Sequence, residues 1–177
     1  GGFGYPGPSS RTTRRHSVTA MQYLPTWASV RSHPLPGWYD EAKLGIFVHW
    51  GPYSVPAWAP RGHDVQEVFR EKGPADMLAA NPYGAWYLNS MAVPGSRTAR
   101  YHREHFGDAP YSDFAPVFDA ASREADLGAL ATLCADAGAG YVVLTAKHHD
   151  GYLLWPSARP HPVMGRYRAS RDLVGDL

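Results

Sequence analysis

Two short apolar runs, far apart in the chain, dominate its hydrophobic pattern. The first, Ile46 to Val48, is unbroken, combines β-branched and aromatic side chains, and is closed by Gly51 and Pro52. The second runs from Tyr141 to Lys147 and has the same character. Runs that are apolar at every position, rather than at every second one, are typical of strands in sheets covered on both sides. The first run is therefore predicted to be a strand buried on both faces, and the second another buried strand.

Helical patterns lie between the two predicted strands. Arg100 to Asp108 is charged and predicts a short helix, and Ser122 to Ala137 is rich in Ala and Leu and predicts another. Gly138 and Gly140 end the second helix, because glycine commonly adopts the conformation that follows a helix C-terminus. A strand, a crossover with a helix and a second strand form a βαβ unit with parallel strands, so the predicted fold class is α/β.

The remaining segments differ in character. Residues 1–24 are rich in Gly, Pro, Ser, Thr and Arg without an apolar period, so we expect a disordered tail, with Met21 as the natural start. Pro52 to Arg100 is irregular and too long for an ordinary connection, which favours a functional loop. Arg171 to Leu177 is typical of a helix that is only beginning. Residues 25–177 are therefore expected to form one incomplete domain.

Composition and charge narrow the function classes. The 177 residues are 44% hydrophobic and 19% charged, with a formal net charge of +1. Such a balance gives no field that would attract nucleic acid or an anionic membrane, so neither is an expected partner. No apolar run is long enough to span a bilayer, and no apolar segment follows the basic N-terminal residues, so we expect a cytoplasmic location. The single cysteine, Cys134, excludes an internal disulfide and is predicted to be a buried thiol.

Histidines follow both predicted strands. His49 comes directly after the first, and His148 and His149 follow the second, with Asp150 next to them. Parallel strands end at the same edge of a sheet, and ligands of α/β folds and (β/α)8 barrels bind there. The group therefore predicts a binding site, with the capping of backbone groups at the strand ends as the alternative. Asp150 fits either a general base or a turn before glycine.

Phe47 and Trp50 flank the first of these histidines. Alternation along a strand places Phe47 on the same face as His49, as an apolar floor for the site or as core packing. Trp50 points the other way and is predicted to pack against a helix. The sequence has no His-x-His pair, cysteine cluster, Gly-x-Ser-x-Gly elbow or phosphate-binding glycine loop, so no metal or other cofactor is expected.

Several motifs together resemble the α-L-fucosidases of glycoside hydrolase family 29. Trp38 to Trp58 resembles the first strand and following loop of that family, and Tyr141 to Gly151 resembles its second characteristic strand. Tyr111 to Phe114 and Arg171 to Gly175 also match. The resemblance covers about Pro25 to Leu177 and implies the N-terminal, truncated portion of a (β/α)8 TIM-like barrel.

The resemblance also implies roles for five side chains. His49, His148 and His149 would hydrogen-bond the hydroxyls of a fucose ring, Trp86 would line the same pocket, and Phe47 would form the apolar wall for the C6 methyl group. A 6-deoxy sugar suits such a site, because it needs apolar contact on one side and polar partners around its hydroxyls. The expected partner is a fucosylated glycan or glycoside, and the implied enzyme is a retaining exo-glycosidase that removes terminal α-L-fucosyl residues.

A retaining mechanism needs two carboxyl groups about 5–5.5 Å apart. By the resemblance, both the nucleophilic Asp and the acid/base lie beyond Leu177, so no catalytic residue is assigned here and the chain alone is expected to be inactive. The sequence departs from the family at Ala85, where Glu is usual, at Ala125 to Leu127, where Trp is common, and from Arg159 to Ser170. Two other functions stay open: a non-catalytic fucose-binding module, and a metal-dependent barrel hydrolase that uses the three histidines.

Overall fold

The computed structural model describes residues 23–62 and 64–177. Contacts between residues divide the chain after Gly37 into two compact units. In the first unit, Thr26 caps helix α1 (Trp27–Arg31), because its hydroxyl accepts a hydrogen bond from a backbone N–H of the first turn at 3.3 Å. The predicted disordered tail lies outside the described residues except for its last two, which are exposed.

The second unit combines short helices with two strands. Among the described helices, none has both the length and the apolar character needed to cross a bilayer. Three 3₁₀ turns connect longer elements, at Pro52–Ser54, Gly84–Trp86 and Tyr111–Asp113. The other elements are α2 (Gly37–Ala42), β1 (Gly45–Val48), α3 (Val65–Lys72), α4 (Pro74–Ala79), α5 (Tyr87–Met91), α6 (Arg97–Phe106), α7 (Phe114–Arg123), α8 (Leu127–Asp136), β2 (Tyr141–Leu144) and α9 (Leu173–Asp176).

The two strands pair in parallel, with Gly45 opposite Tyr141 and Val48 opposite Leu144. The backbone N–H of Thr145 donates to the Val48 carbonyl at 3.0 Å and extends the pairing by one step. The Tyr141 ring packs over Gly45, where a Cβ would force the ring to move. The predicted parallel strands are confirmed, and the described part of the second unit is α/β with a two-stranded sheet.

Both strands are more open than predicted, and β2 is also shorter. Phe47 of β1 is 66% exposed, and all four residues of β2 are only partly buried. The prediction of a strand buried on both faces is wrong for the described residues, because they supply two strands and leave the Phe47 side chain uncovered. β2 ends at Leu144 rather than Lys147, since the chain then bends and Lys147 forms an isolated antiparallel bridge with Leu153.

Trp50 joins the sheet to the larger of two apolar clusters. Its ring meets Phe118 of α7 edge to face, with centroids 5.2 Å apart, which confirms the predicted packing of Trp50 against a helix. This geometry suits the charge distribution of aromatic rings. The buried members of the cluster come from α7, α8, α9 and the segment after β2: Phe118, Leu127, Tyr152, Leu154, Tyr167, Ala169 and Leu173.

A second cluster consists mainly of tyrosines. Its buried members are Tyr53, Tyr87, Tyr111 and Phe114, and Val55 packs against both clusters. Burial raises the pKa of the Tyr53, Tyr87 and Tyr111 phenols above the ordinary value, because ionisation would place a charge among apolar rings. These hydroxyls therefore stay protonated and available as hydrogen-bond donors.

The connection from Pro52 to Arg100 is more ordered than its composition predicts. It contains α3, α4 and α5. Asp64 caps the N-terminus of α3, since its side chain accepts hydrogen bonds from the backbone N–H groups of Gln66 and Glu67. Pro74 is the first residue of α4, a position that proline favours. The prediction of an irregular segment is therefore wrong, because capping residues start helices within a stretch rich in proline and glycine.

The predicted helix from Ser122 to Ala137 is interrupted. α7 ends and α8 begins inside that range, because Asp126 caps α8 by accepting a hydrogen bond from the Ala129 N–H at 2.9 Å. Cys134 is buried within α8, as predicted. The short charged helix is confirmed as α6, which begins earlier than predicted, at Arg97.

Arg171 closes the free end of α7. Its Nη1 donates to the backbone carbonyls of Arg123 at 3.0 Å and of Ala125 at 2.7 Å, and its Nε pairs with Asp176 at 2.6 Å. The last carbonyls of a helix lack partners within the helix, so a guanidinium stabilises that end. The predicted helix at the end of the chain is confirmed as α9, which Asp172 caps.

Replacing Arg171 with glutamine should lower the free energy of unfolding by about 2 kcal/mol, because backbone carbonyls at the end of α7 lose a charged donor. Urea unfolding followed by circular dichroism measures the loss. Arg123→Gln is the matched control. Its side chain is 54% exposed and lies 3.8 Å from Asp119, so a loss below about 0.5 kcal/mol is expected. Equal losses in the two variants would contradict the capping role of Arg171.

Candidate functional site

A cavity of about 650 Å³ lies at the carboxyl ends of β1 and β2, and we call it the histidine cavity. Its volume is in the range of sites that take small molecules, and its wall combines aromatic rings with a few polar groups, as such sites do. The connection after β1 supplies most of the wall. The lining residues are His49, Tyr53, Ser54, Ala57, Pro82, Tyr83, Gly84, Ala85, Trp86 and His148.

Parallel pairing brings two histidines to this cavity. His49 follows β1 directly, and His148 follows β2 after the chain has bent. Their rings meet edge to face with centroids 5.1 Å apart. The N–H of Gly151 donates to the His148 carbonyl at 3.0 Å, and a φ of 78° at Gly151 closes the turn. The structure therefore brings together the two strand-end histidines that the sequence singles out.

His149 lies beside them and contacts Trp86. The rings of His148 and His149 are 4.4 Å apart, and the rings of His149 and Trp86 are 4.1 Å apart. Adjacent residues of a strand would point to opposite faces, but β2 has ended before His148, so both imidazoles reach the same region. Trp86, in the 3₁₀ turn before α5, lines the cavity wall.

Three of the five predicted residues, His49, Trp86 and His148, line the histidine cavity, and two do not. The Phe47 side chain is 66% exposed and lies outside the wall. His149 is exposed and contacts Trp86 and His148 without being part of the wall itself. Tyr53 and Tyr83 do belong to the wall, although the sequence analysis assigns them no role. Tyr53 lies in the Trp38 to Trp58 motif, which is a usable signal, whereas nothing in the pattern around Tyr83 marks it. The roles of the predicted residues in substrate binding stay predictions.

Asp150 is buried, and both oxygens of its carboxyl group accept hydrogen bonds. Its Oδ2 accepts a hydrogen bond from the Tyr111 hydroxyl at 2.8 Å, and its Oδ1 accepts one from the Tyr152 N–H at 3.1 Å. Burial raises the pKa of Asp150 above its ordinary value, and the two hydrogen bonds oppose that rise. Asp150 does not line the histidine cavity, so its geometry favours the turn over the general base. Tyr111 is a positioning partner that the sequence marks only as part of a motif.

The surroundings of His148 favour the neutral form of its imidazole. Burial lowers its pKa below the ordinary value of 6.5, and the neighbouring imidazoles of His149 and His49 lower it further. Among the described residues, the buried Nδ1 of His148 has no hydrogen-bond partner. A buried nitrogen without a partner is costly.

Neither a metal-binding group nor a carboxylate marks this cavity. Within residues 23–62 and 64–177, no group of three His, Cys, Asp or Glu side chains is arranged to hold a metal ion. The lining residues found in the same ranges include no Asp or Glu. The arrangement can therefore orient a polar ligand through imidazoles and hold an apolar surface against the indole of Trp86.

These features define an α/β protein with an aromatic, histidine-lined cavity at the carboxyl ends of parallel strands. The sequence model of the alpha-L-fucosidase family matches residues 11–177. The alpha-L-fucosidase of Dictyostelium discoideum is 42% identical over 144 residues, and the tissue alpha-L-fucosidase of Bos taurus is 37% identical over 172 residues. The chain belongs to the alpha-L-fucosidase family.

Solved structures agree with this membership. The Thermotoga maritima alpha-fucosidase in complex with fucose superimposes with a TM-score of 0.70 at 40% identity, and its complex with a mechanism-based inhibitor gives 0.71. Each match covers 88% of this chain and 34% of that one. The two curated relatives are covered to 26% and 31% of their length, so the chain spans about a third of its relatives or less.

The raised pKa of Asp150 makes stability depend on pH in a defined direction. A raised pKa means that the folded protein binds the proton more tightly than the unfolded chain. The contribution of Asp150 is then largest below the ordinary carboxyl pKa of about 3.9 and falls as pH rises through the raised value. The stability of the wild type relative to Asp150→Asn should therefore fall between pH 4 and pH 7 in urea unfolding.

A difference between wild type and Asp150→Asn that is constant over this range would contradict the raised pKa. Tyr111→Phe tests the cause. It removes a hydrogen bond that lowers the pKa of Asp150, so the loss of stability with pH should be steeper than in the wild type.

The pKa of His148 should respond to its neighbours. Histidine NMR titration should give a midpoint below 6.5 for this ring. His149→Ala removes a neighbouring positive charge and some burial, so both effects should raise the midpoint. His105→Ala, an exposed ring on α6, is the control and should leave the midpoint unchanged. A His148 midpoint above 6.5 in the wild type would contradict the assigned burial.

Proposed function

We propose that the complete protein that contains this chain, called the parent protein below, is a retaining exo-α-L-fucosidase that releases terminal α-L-fucosyl residues from glycoconjugates. Family membership supports this, as does the likeness to the Thermotoga maritima alpha-fucosidase that was solved with fucose. In this proposal the chain forms one side of the fucose pocket.

The observation that carries the proposal is the meeting of His49 and His148 at one cavity, with ring centroids 5.1 Å apart. A neutral imidazole can donate through one nitrogen and accept through the other, which suits the adjacent hydroxyls of a sugar ring. His149 adds a third imidazole, and Trp86 adds an apolar face.

Phe47 is proposed as the wall for the C6 methyl group. Its side chain shares a strand face with His49 and is 66% exposed in the described unit. An apolar ring beside a sugar site, left uncovered by its own segment, suits contact with a methyl group once further strands enclose the sheet. We extend the fold proposal accordingly: residues 25–177 form the N-terminal part of a (β/α)8 barrel that begins with β1 and β2.

The bond-breaking groups are proposed to come from residues that follow 177. Retention requires a carboxylate that attacks the anomeric carbon and a carboxyl that protonates the leaving oxygen, about 5–5.5 Å apart. The sugar–enzyme bond then breaks when water attacks, and the second group takes the water's proton. The residues of this chain would hold the ring by its hydroxyls and shield it from solvent, so that the anomeric carbon faces the carboxylate.

Turnover of an aryl α-L-fucoside by the parent protein tests the proposal. His49→Ala and His148→Ala should each lower kcat/KM by about 10- to 100-fold, because each removes a hydrogen bond from a desolvated site. Trp86→Ala should cause a comparable loss. His33→Ala is the matched control and should leave kcat/KM unchanged, because this exposed imidazole does not line the cavity.

The 177-residue chain alone should show no turnover in the same assay, and clear turnover by it would contradict the placement of the carboxyl groups. Binding of L-fucose by the parent protein without hydrolysis would replace the proposed enzyme with a binding module. The stereochemistry of the first product, followed by NMR, separates retention from inversion.

A further inference from the structure

A second hollow adjoins the histidine cavity, and we call it the arginine cavity. Its volume is about 540 Å³, and it shares the residues Ala57, Pro82 and Gly84 with the histidine cavity. The two cavities are therefore adjacent, as the sites of two linked sugars would be. The other residues that line it are Trp58, Ala59, Pro60, Arg61 and Arg97.

Two arginines, Arg61 and Arg97, line the arginine cavity, and neither has a carboxylate partner among the described residues. Arg97 donates through Nη1 to the Arg61 backbone carbonyl at 3.1 Å, which ties the two residues together. In the described part of the chain, neither side chain takes part in a salt bridge. An arginine keeps five N–H donors, so a single backbone acceptor leaves most of the donors of Arg97 available to a ligand.

The position of Arg97 has a local electrostatic cost. It is the first residue of α6, whose first turn contains no acidic residue. A helix N-terminus carries positive partial charge, and cations are disfavoured there. Residues that break a local rule of this kind are expected at functional sites. The helix end and the two guanidinium groups together create a positive field at the cavity, which an anion would neutralise.

Trp58 adds a surface for a sugar ring. Its indole stacks on Tyr101 with centroids 4.3 Å apart and planes 7° from parallel, and Tyr101 in turn stacks on His105 at 4.0 Å. One face of the indole is therefore occupied, and the remaining surface of Trp58 borders the arginine cavity. An indole held in place by stacking offers contact area at little entropic cost.

We propose that the arginine cavity binds the sugar next to fucose, and that this sugar carries an oxyanion, either a sulfate ester or a carboxylate. The proposal rests on the proposed function, because it assumes that fucose occupies the histidine cavity. Trp58 contacts the second sugar ring, and Arg61 and Arg97 bind the anion. Planar guanidinium groups match both oxyanions through paired hydrogen bonds.

Calorimetric titration of the parent protein tests the proposal. Three fucosyl disaccharides with the same sulfur-linked, hydrolysis-resistant bond serve as probes, and they differ only in the second sugar: a neutral hexose, its sulfate ester, and the matching hexuronic acid. At low salt, at least one anionic probe should bind about fivefold or more tightly than the neutral probe. A preference for the sulfate ester or for the hexuronic acid identifies the oxyanion.

Substitutions of single arginines test which residues cause the preference for an anionic probe. Arg61→Gln and Arg97→Gln should each reduce it by about fivefold, and Arg97→Lys should retain part of it. Arg100→Gln is the matched control, because Arg100 lies in the same helical turn but does not line the arginine cavity; the preference should persist. Raising the salt concentration to 0.5 M should weaken the preference, because exposed charges are screened.

Equal affinities of the wild type for all three probes would overturn the proposal, as would a preference that survives both glutamine substitutions. Turnover of a neutral aryl α-L-fucoside, measured on the same preparation, separates this failure from failure of the proposed function. Turnover without an anion preference overturns only the acidic second sugar. Absence of both turnover and probe binding overturns the two proposals together.

Discussion

The parallel pairing of β1 with β2 is the constraint on which the site depends. Four residues of each strand fix the register, and both strands end at the same edge of the sheet. His49 follows at once, whereas His148 comes after the bend that follows β2. Gly151, with its left-handed backbone, closes the turn that begins at His148. A register shift of one residue would turn each side chain to the opposite face of the sheet, so the 5.1 Å approach of the two imidazoles depends on this short ladder.

A buried hydrogen bond then stabilises this turn. Tyr111 donates to Asp150 across 39 residues of sequence and so ties the 3₁₀ turn before α7 to the turn that carries His148 and His149. The bond is enclosed by the tyrosine cluster, where desolvation makes a lone carboxylate costly. The apolar core and the polar site are thus built from the same aromatic residues: Tyr53 belongs to the buried cluster and also lines the histidine cavity.

The pattern of apolar and polar residues predicts those elements that depend only on neighbouring residues in the sequence. The apolar runs indicate both strands, and Trp50 follows from alternation along β1. The interruption between α7 and α8 could not be predicted from the local pattern. It depends on the capping of a new helix by Asp126 and on Arg171, far away in sequence, which binds a backbone carbonyl at the end of the previous helix. Tyr83 and the arginine cavity depend on how the long connection folds back, and no periodicity encodes that.

The reach of Arg171 has a consequence for synthesis. Its guanidinium binds the carbonyl of Arg123, 48 residues earlier in the chain. On a ribosome, the end of α7 therefore stays without this partner until a further 48 residues have been added and Arg171 has left the exit tunnel. At 5–20 residues per second, roughly a few seconds of translation separate the two events. During that interval the last carbonyls of α7 have only water as a hydrogen-bond partner.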